Sequence, residues 1–130
     1  MKHVMDIKIY YEDTDCGNVV YYANYLRYME RARTEYMADR GASVKELMDM
    51  GMLFMIARVE VDYRSPARYG DTVVVETWIS ETSGATLTFQ HSMREKNSGR
   101  IFTECLAKAV CVDPAGRPKR IPKEIAEKLR

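Results

Sequence analysis

Asp13, Asp15, Gly17 and Asn18 lie close together in the chain, just ahead of a long stretch of helical periodicity. Carboxylates in that position sit near the unpaired N–H groups and partial positive charge of a helix start. Such N–H groups can polarise a carbonyl and hold an oxyanion, while a carboxylate attacks that carbonyl or deprotonates a water that does. Acyl transfer to water is the chemistry these residue types could perform. Gly17 and Asn18 tolerate positive φ best, so a sharp bend is expected there. Asp13 and Asp15 share one side of an extended backbone, where two ionised groups repel. Asp15 is therefore expected in the cleft, with Asp13 bonded to local backbone and Val19-Val20 as an apolar wall.

Other reactive types carry weaker patterns. Cys16 lies inside the same run, but no His stands near it as a base, and it reads as an ordinary small residue. His91 occupies an apolar strand position, as a hydrogen-bonded core histidine would. With two His and three scattered Cys, a metal site has no ligand spacing to rest on. Arg64 and Arg68 flank Pro and Gly-Asp turns, and Arg117-Pro118-Lys119-Arg120 forms a second basic cluster; either could meet phosphates.

The elements that must position these residues follow from periodicity. Met5, Ile7, Ile9 and Tyr11 alternate as a first strand. Tyr25, Leu26, Met29, Ala32, Tyr36 and Met37 recur at helical spacing, and Gly41 ends that helix of about 18 residues, some 27 Å long. Ser43 and Glu46 form a capping-box pattern for a short second helix ended by Gly51. Strands then follow at Ala57 to Tyr63, Thr72 to Ser80, Leu87 to Met93 and Ile101 to Val112, divided by Ser83-Gly84 and Asn97-Ser98-Gly99 turns. The class is α+β: an antiparallel sheet of about five strands wrapped around one helix. Small residues at Cys105, Ala107, Ala109 and Cys111 leave that helix room. Apolar residues on both faces of the strand from Thr72 to Ser80 call for a second chain, so homo-oligomerisation is expected.

Composition narrows the class further. The chain of 130 residues is expected to form one domain, residues 1–130. Twenty basic against 19 acidic residues leave a net charge of +1, which gives no global field for nucleic acid or an anionic membrane. No apolar run is long enough to span a bilayer, the first residues lack a signal-peptide core, and three Cys make a poor disulfide framework. A cytoplasmic location is expected.

The run EDTDCGNVVYYANYLRYMERART, Glu12 to Thr34, resembles the signature of hotdog-fold acyl-CoA thioesterases of the 4-hydroxybenzoyl-CoA thioesterase and YbgC-like branch. Tyr63-Arg64-Ser65-Pro66-Ala67-Arg68-Tyr69-Gly70-Asp71 supports it, and the likeness extends from Ile7 to about Pro122. It implies a hotdog fold and a catalytic carboxylate at Asp15. It also implies a carbonyl-polarising backbone N–H at Tyr22, where many relatives carry His; many have Gly in place of Asn18. Gly17, Val19, Val20, Arg64 and Arg68 become the expected substrate contacts. Glu30 and Glu35 are reserve carboxylates, because another hotdog branch uses a helix glutamate; otherwise they are solvated partners of Arg27, Arg31 and Arg33. The resemblance further implies a homodimer joined edge to edge, or a homotetramer, with active sites at the dimer interface.

The expected function is hydrolysis of an acyl-CoA thioester without a cofactor. Acyl carrier protein is an alternative carrier. A non-catalytic acyl-CoA or acyl-carrier-protein binding module is the alternative from another class, and a dehydratase would require a His that the motif lacks.

Overall fold

The computed structural model describes residues 2–130. The elements run β1 (His3–Lys8), a 3-10 turn (Tyr11–Asp13), α1 (Asn24–Asp39), α2 (Val44–Asp49), β2 (Leu53–Tyr63), β3 (Thr72–Ser83), β4 (Thr86–Glu95), β5 (Ile101–Val112) and α3 (Lys123–Leu129). The five strands form one sheet in the order β1-β3-β4-β5-β2, and every neighbouring pair is antiparallel.

Alternation sorts the two faces of the sheet. Val73, Val75, Leu87, Phe89, Met93, Cys105, Ala107, Ala109 and Cys111 point inward and are buried. They meet Tyr25, Tyr28, Met29, Ala32, Tyr36 and Met37 on one stripe of α1, which makes α1 the helix that the sheet wraps. The small residues of β5 lie in both core clusters, where their short side chains let the helix approach. Removing a large apolar side chain from such a site costs about 2–5 kcal/mol, so this stripe dominates the stability of the fold.

Both early helices end as their glycines predict. Gly41 has φ 76°, its N–H reaches the carbonyl of Ala38, and the N–H of Ala42 reaches that of Met37. Gly51 repeats the pattern after α2, with bonds to Met48 and from Met52 to Leu47. These are Schellman caps, which favour glycine at the left-handed position. At the start of α2 the Ser43 hydroxyl oxygen accepts from the N–H of Glu46 at 3.1 Å. The reciprocal half differs from a capping box, because Ser43 Oγ itself donates to the Glu46 carboxylate at 3.0 Å.

Several boundaries depart from the periodicity. Tyr11 is 74% exposed in the 3-10 turn rather than in β1, because the Asp13 carboxylate accepts the Tyr10 N–H at 2.8 Å and folds the chain back. Leu26, expected on the buried stripe, is 42% exposed. The helix has 16 residues. β3 continues past Ser80 to Ser83, because a bulge between Ile79 and Glu81 breaks the alternation without ending the pairing. β2 likewise begins at Leu53, with a bulge between Ile56 and Arg58. α3 had no counterpart in the sequence reading; it places Ile125 and Leu129 against the C-terminal half of α1, and Tyr36 Oη donates to the Leu129 carbonyl at 2.5 Å.

The surface that calls for a second chain also moves. β3 lies inside the sheet, Val74 is only 6% exposed, and its outer face carries the Glu76–Arg94 and Asp6–Lys96 pairs nearby and Lys2 over Trp78. The sheet ends in two edge strands, β1, which pairs only with β3, and β2, which pairs only with β5; β2 leaves Met55, Ile56, Val59 and Tyr63 exposed.

Candidate active site

The reactive run forms a small hairpin between β1 and α1. Thr14 and Val20 make an antiparallel bridge, and the N–H of Asp15 donates to the carbonyl of Val19 at 3.0 Å. The N–H of Asn18 closes the turn on the carbonyl of Asp15 at 3.1 Å. Asn18 supplies the left-handed residue with φ 62° and is the one non-glycine with positive φ among the described residues. Gly17 does not use positive φ; its role is space, since a Cβ there would come within 3.2 Å of Asp15 Oδ1.

Asp15 is exposed at the tip of this turn. Its Oδ1 accepts the N–H of Gly17 at 2.8 Å, which fixes the carboxylate rotamer, and Oδ2 has no protein hydrogen bond among the described residues. Asp13 behaves differently. Its carboxylate caps Tyr10, and its carbonyl accepts from the N–H of Tyr21 at 2.9 Å and from Asn24 Nδ2 at 2.8 Å. It joins the hairpin to the first turn of α1. Burial first, and the Asp13 carboxylate second, push the Tyr28 hydroxyl above its usual range.

The helix starts later than the motif suggests. Ala23 is the N-cap of α1, and its side chain makes no capping bond. Tyr22 precedes it, 62% exposed, with its ring against Tyr21 at 5.0 Å and Tyr63 at 6.3 Å. Its backbone N–H has no protein partner among the described residues. Such an N–H is available to a carbonyl oxygen.

Val19, Val20, Tyr22, Tyr63, Arg64 and Pro66 help to line a cavity of about 320 Å³. Arg68 does not face it. Arg68 lines a neighbouring cleft of about 270 Å³ with Asn18, on the other side of the Val19–Arg68 backbone bridge. Asp15 and Gly17, on the hairpin that carries Asn18 and Val19, line neither space. Val20 is 4% exposed, so it belongs chiefly to the core, and its N–H donates to the Ala67 carbonyl at 2.8 Å. The Arg64 guanidinium reaches the Glu104 carboxylate at 3.7 Å.

Sequence reasoning missed Tyr25 and Tyr63. Tyr25 Oη accepts the N–H of Ala67 at 3.1 Å and draws the loop after β2 onto α1. Tyr63 Oη donates to the Tyr22 carbonyl at 3.0 Å. Their only signal was the density of tyrosines in both motifs. The reserve carboxylates stay apart from this site. Glu30 and Arg33 border a cavity of about 200 Å³ between α1, α2 and β2, walled by Met37, Met48, Leu53 and Phe54. Among the described residues neither Glu30 nor Glu35 comes within ion-pair distance of Arg27, Arg31 or Arg33, and Arg31 sits over the Tyr28 ring at 5.8 Å. Cys16 is exposed on the turn.

The chain matches the family model described as the thioesterase-like superfamily over residues 10–129. It is 36% identical over 126 residues to the acyl-CoA thioester hydrolase YbgC of Escherichia coli O6:H1, covering 95% of this chain and 92% of the relative. A solved structure from Aquifex aeolicus superposes with a TM-score of 0.92 at 26% identity, over 98% of this chain and 99% of the other. A 4-hydroxybenzoyl-CoA thioesterase variant, solved with 4-hydroxybenzoyl-CoA, shares the fold at a TM-score of 0.91 and 20% identity, over 99% of both chains. The wrapped helix and the five-stranded sheet are thus those of the hotdog fold expected from the sequence.

Proposed function

The chain belongs to the thioesterase-like superfamily, and from that premise we propose that it hydrolyses acyl-CoA thioesters at the start of α1 as a single thioesterase domain. One observation carries the reading. Asp15 is held in a fixed rotamer with one carboxylate oxygen open, beside a hairpin that leads directly to the unpartnered N–H of Tyr22. The thioester carbonyl oxygen accepts from that N–H, and the apolar wall of Val19 excludes water from one side. The Asp15 carboxylate then takes a proton from a water whose oxygen adds to the acyl carbon, or adds itself to give a mixed anhydride that water cleaves. Either way the C–S bond breaks and the coenzyme A thiolate leaves. A thiolate leaves readily, so no strong general acid is needed, in accord with a motif that contains no His.

A homodimer through β2 completes the site in this reading. The strand offers an 11-residue edge with exposed apolar side chains on it, the kind of edge that proteins pair or cover. Two copies related by a two-fold axis pair such edges antiparallel, which sets the Tyr63 end of one against the Leu53 end of the other. The apolar cavity of about 200 Å³ beside Leu53 would then adjoin the Tyr22 cavity and take the acyl tail. The same arrangement serves a thioester carried on coenzyme A or on acyl carrier protein.

The test is thiol release from a panel of acyl-CoAs by wild-type protein and Asp15→Asn. Wild type should release coenzyme A, and Asp15→Asn should lower kcat at least about a hundredfold with a modest change in KM. Retention of more than a tenth of turnover would overturn the role of Asp15. Tight acyl-CoA binding without release would leave a binding module instead. Full activity at a sedimentation mass near 15.1 kDa would overturn the dimer.

A further inference from the structure

The cavity of about 200 Å³ that takes the acyl tail in the reading above contains one group that an aliphatic tail does not explain. α2 and β2 line it with Val44, Met48, Leu53, Phe54 and Ile56, whereas α1 sets Glu30 and Arg33 into its wall. Arg33 is half-buried and makes neither a hydrogen bond nor an ion pair among the described residues. Loss of water around the guanidinium draws its pKa below the ordinary value, and the Glu30 charge opposes that shift. Glu30 does not complete the pair, for it lies beyond ion-pair distance and, being exposed, is screened by water. His91, close enough under α1 to feel the Arg33 charge, is neutral, and its buried Nε2 has no hydrogen-bond partner. A partly desolvated cation without a counter-ion costs stability. The fold thus leaves a positive charge unanswered beside an apolar chamber.

An anion that arrives with the substrate is the missing complement. The thioester carbonyl lies at Tyr22 in the reading above, so the anion belongs at the other end of the acyl chain. A carboxylate suits a guanidinium, whose planar fork holds both of its oxygens. The volume limits the length: at about 30 Å³ for each water-sized group, the cavity holds roughly six or seven non-hydrogen atoms. The Met48 thioether in its wall adapts to a flexible chain of methylenes. We propose that Arg33 is the specificity-determining residue of the acyl site and selects short acyl chains that end in a carboxylate, the half-thioesters of dicarboxylic acids such as glutaric acid. The proposal names the substrate class of the acyl-CoA site above and rests on that reading and on its dimer. It also gives Glu30 a role of opposite sign, because its charge repels the carboxylate that Arg33 attracts.

The experiment compares glutaryl-CoA with hexanoyl-CoA, a neutral chain of similar length, on wild type, Arg33→Met and Glu30→Gln. Wild type should show the lower KM for glutaryl-CoA. Arg33→Met keeps the length of the stem and removes the charge, so KM for glutaryl-CoA should rise about ten- to a hundredfold, with hexanoyl-CoA unchanged or better bound. Glu30→Gln should lower KM for glutaryl-CoA about two- to fivefold and leave hexanoyl-CoA alone. Because Arg33 has no partner to lose, Arg33→Met should unfold at the same temperature as wild type or higher. Equal losses on both substrates, together with a lower Tm, would make Arg33 a structural residue and overturn the proposal. A higher KM for glutaryl-CoA in Glu30→Gln would overturn it as well, since the ligand would then donate to Glu30 as a hydroxyl does. Hydrolysis of hexanoyl-CoA with the lower KM by wild type would sink the carboxylate preference while leaving the hydrolase intact. If neither thioester were cleaved, the acyl-CoA reading would fail, and calorimetry with glutarate would decide the site alone: binding to wild type that Arg33→Met abolishes keeps it, and no binding removes it.

Discussion

The Tyr63 hydroxyl donates to the Tyr22 carbonyl oxygen at 3.0 Å, tying the last residue of the edge strand β2 to the residue ahead of α1. Burial, then the neighbouring Cys105 and Tyr22, raise the Tyr63 pKa, so near neutral pH the group stays protonated and donating. The bond restrains the backbone at the position whose N–H is proposed to face the thioester. Tyr63→Phe keeps the ring contacts with Tyr22 and Tyr25 and removes only this donor. Thermal unfolding should show a loss below about 1 kcal/mol, as expected for an exposed bond. Steady-state thiol release should show kcat reduced roughly three- to thirtyfold at similar KM. Unchanged kcat would mean that Tyr22 is held without help from β2.

The two carboxylates of the motif should separate cleanly. Asp13 holds Tyr10, Tyr21 and Asn24, while Asp15 holds only the turn that presents it. Asp13→Ala keeps the backbone carbonyl that Tyr21 and Asn24 use and removes only the carboxylate that accepts the exposed Tyr10 N–H, so it should cost about 0.5–1.5 kcal/mol in urea unfolding. At temperatures where it is folded it should turn over faster than Asp15→Asn. The opposite ranking of kcat in folded protein would transfer the catalytic role to Asp13.

Gly17 offers a test of geometry rather than charge. Its φ is not positive, so alanine brings no backbone strain, but the added Cβ would stand 3.2 Å from Asp15 Oδ1 and displace the carboxylate by a few tenths of an ångström. Gly17→Ala should change stability by less than about 0.5 kcal/mol and still lower kcat about tenfold or more. Wild-type turnover in this variant would show that the Asp15 rotamer is not critical. The neighbouring position answers in reverse: with φ 62° at Asn18, Asn18→Gly should be neutral and Asn18→Val should cost about 1–2 kcal/mol.

Much of this layout was legible because it depends on local pattern. The strand alternation of Leu87, Phe89, His91 and Met93, the stripe Tyr25–Met29–Ala32–Tyr36 and the caps at Gly41 and Gly51 are each set by neighbours within a turn or two. What escaped depends on contacts distant in sequence. Tyr63 acts on Tyr22 across 41 positions and Tyr25 acts on Ala67 across 42, and no periodicity encodes either. Strand order escaped for the same reason. The apolar residues of β3 looked like an open surface until the sheet placed β1 and β4 on either side and left β1 and β2 at the two edges. Bulges at Ile79/Glu81 and Ile56/Arg58 hid strand length by inverting the alternation.

His91 makes the stability of the fold depend on acid in a specific window. The ring is 1% exposed, Nδ1 shares a hydrogen bond with Thr77 Oγ1 at 3.0 Å, and the ring stacks on Phe89 with 7° between planes. Burial first, and the Arg33 charge on α1 second, hold its pKa down to about 3 from the usual 6.5. The native state therefore keeps His91 neutral where the unfolded chain would bind a proton. The unfolded state holds more protons between about pH 3 and 6.5, so stability rises with pH across that window and is fully present above it. Acidification also protonates carboxylates, which a variant can subtract. His91→Gln keeps a polar partner for Thr77 and removes the titration. Urea unfolding at about pH 4.5 and 7.5 should show wild type losing roughly 2 kcal/mol more than His91→Gln between the two conditions. Equal losses would mean that the native fold accepts a charged imidazole beside Arg33, and the packing of α1 on β4 would have to open in acid to admit water.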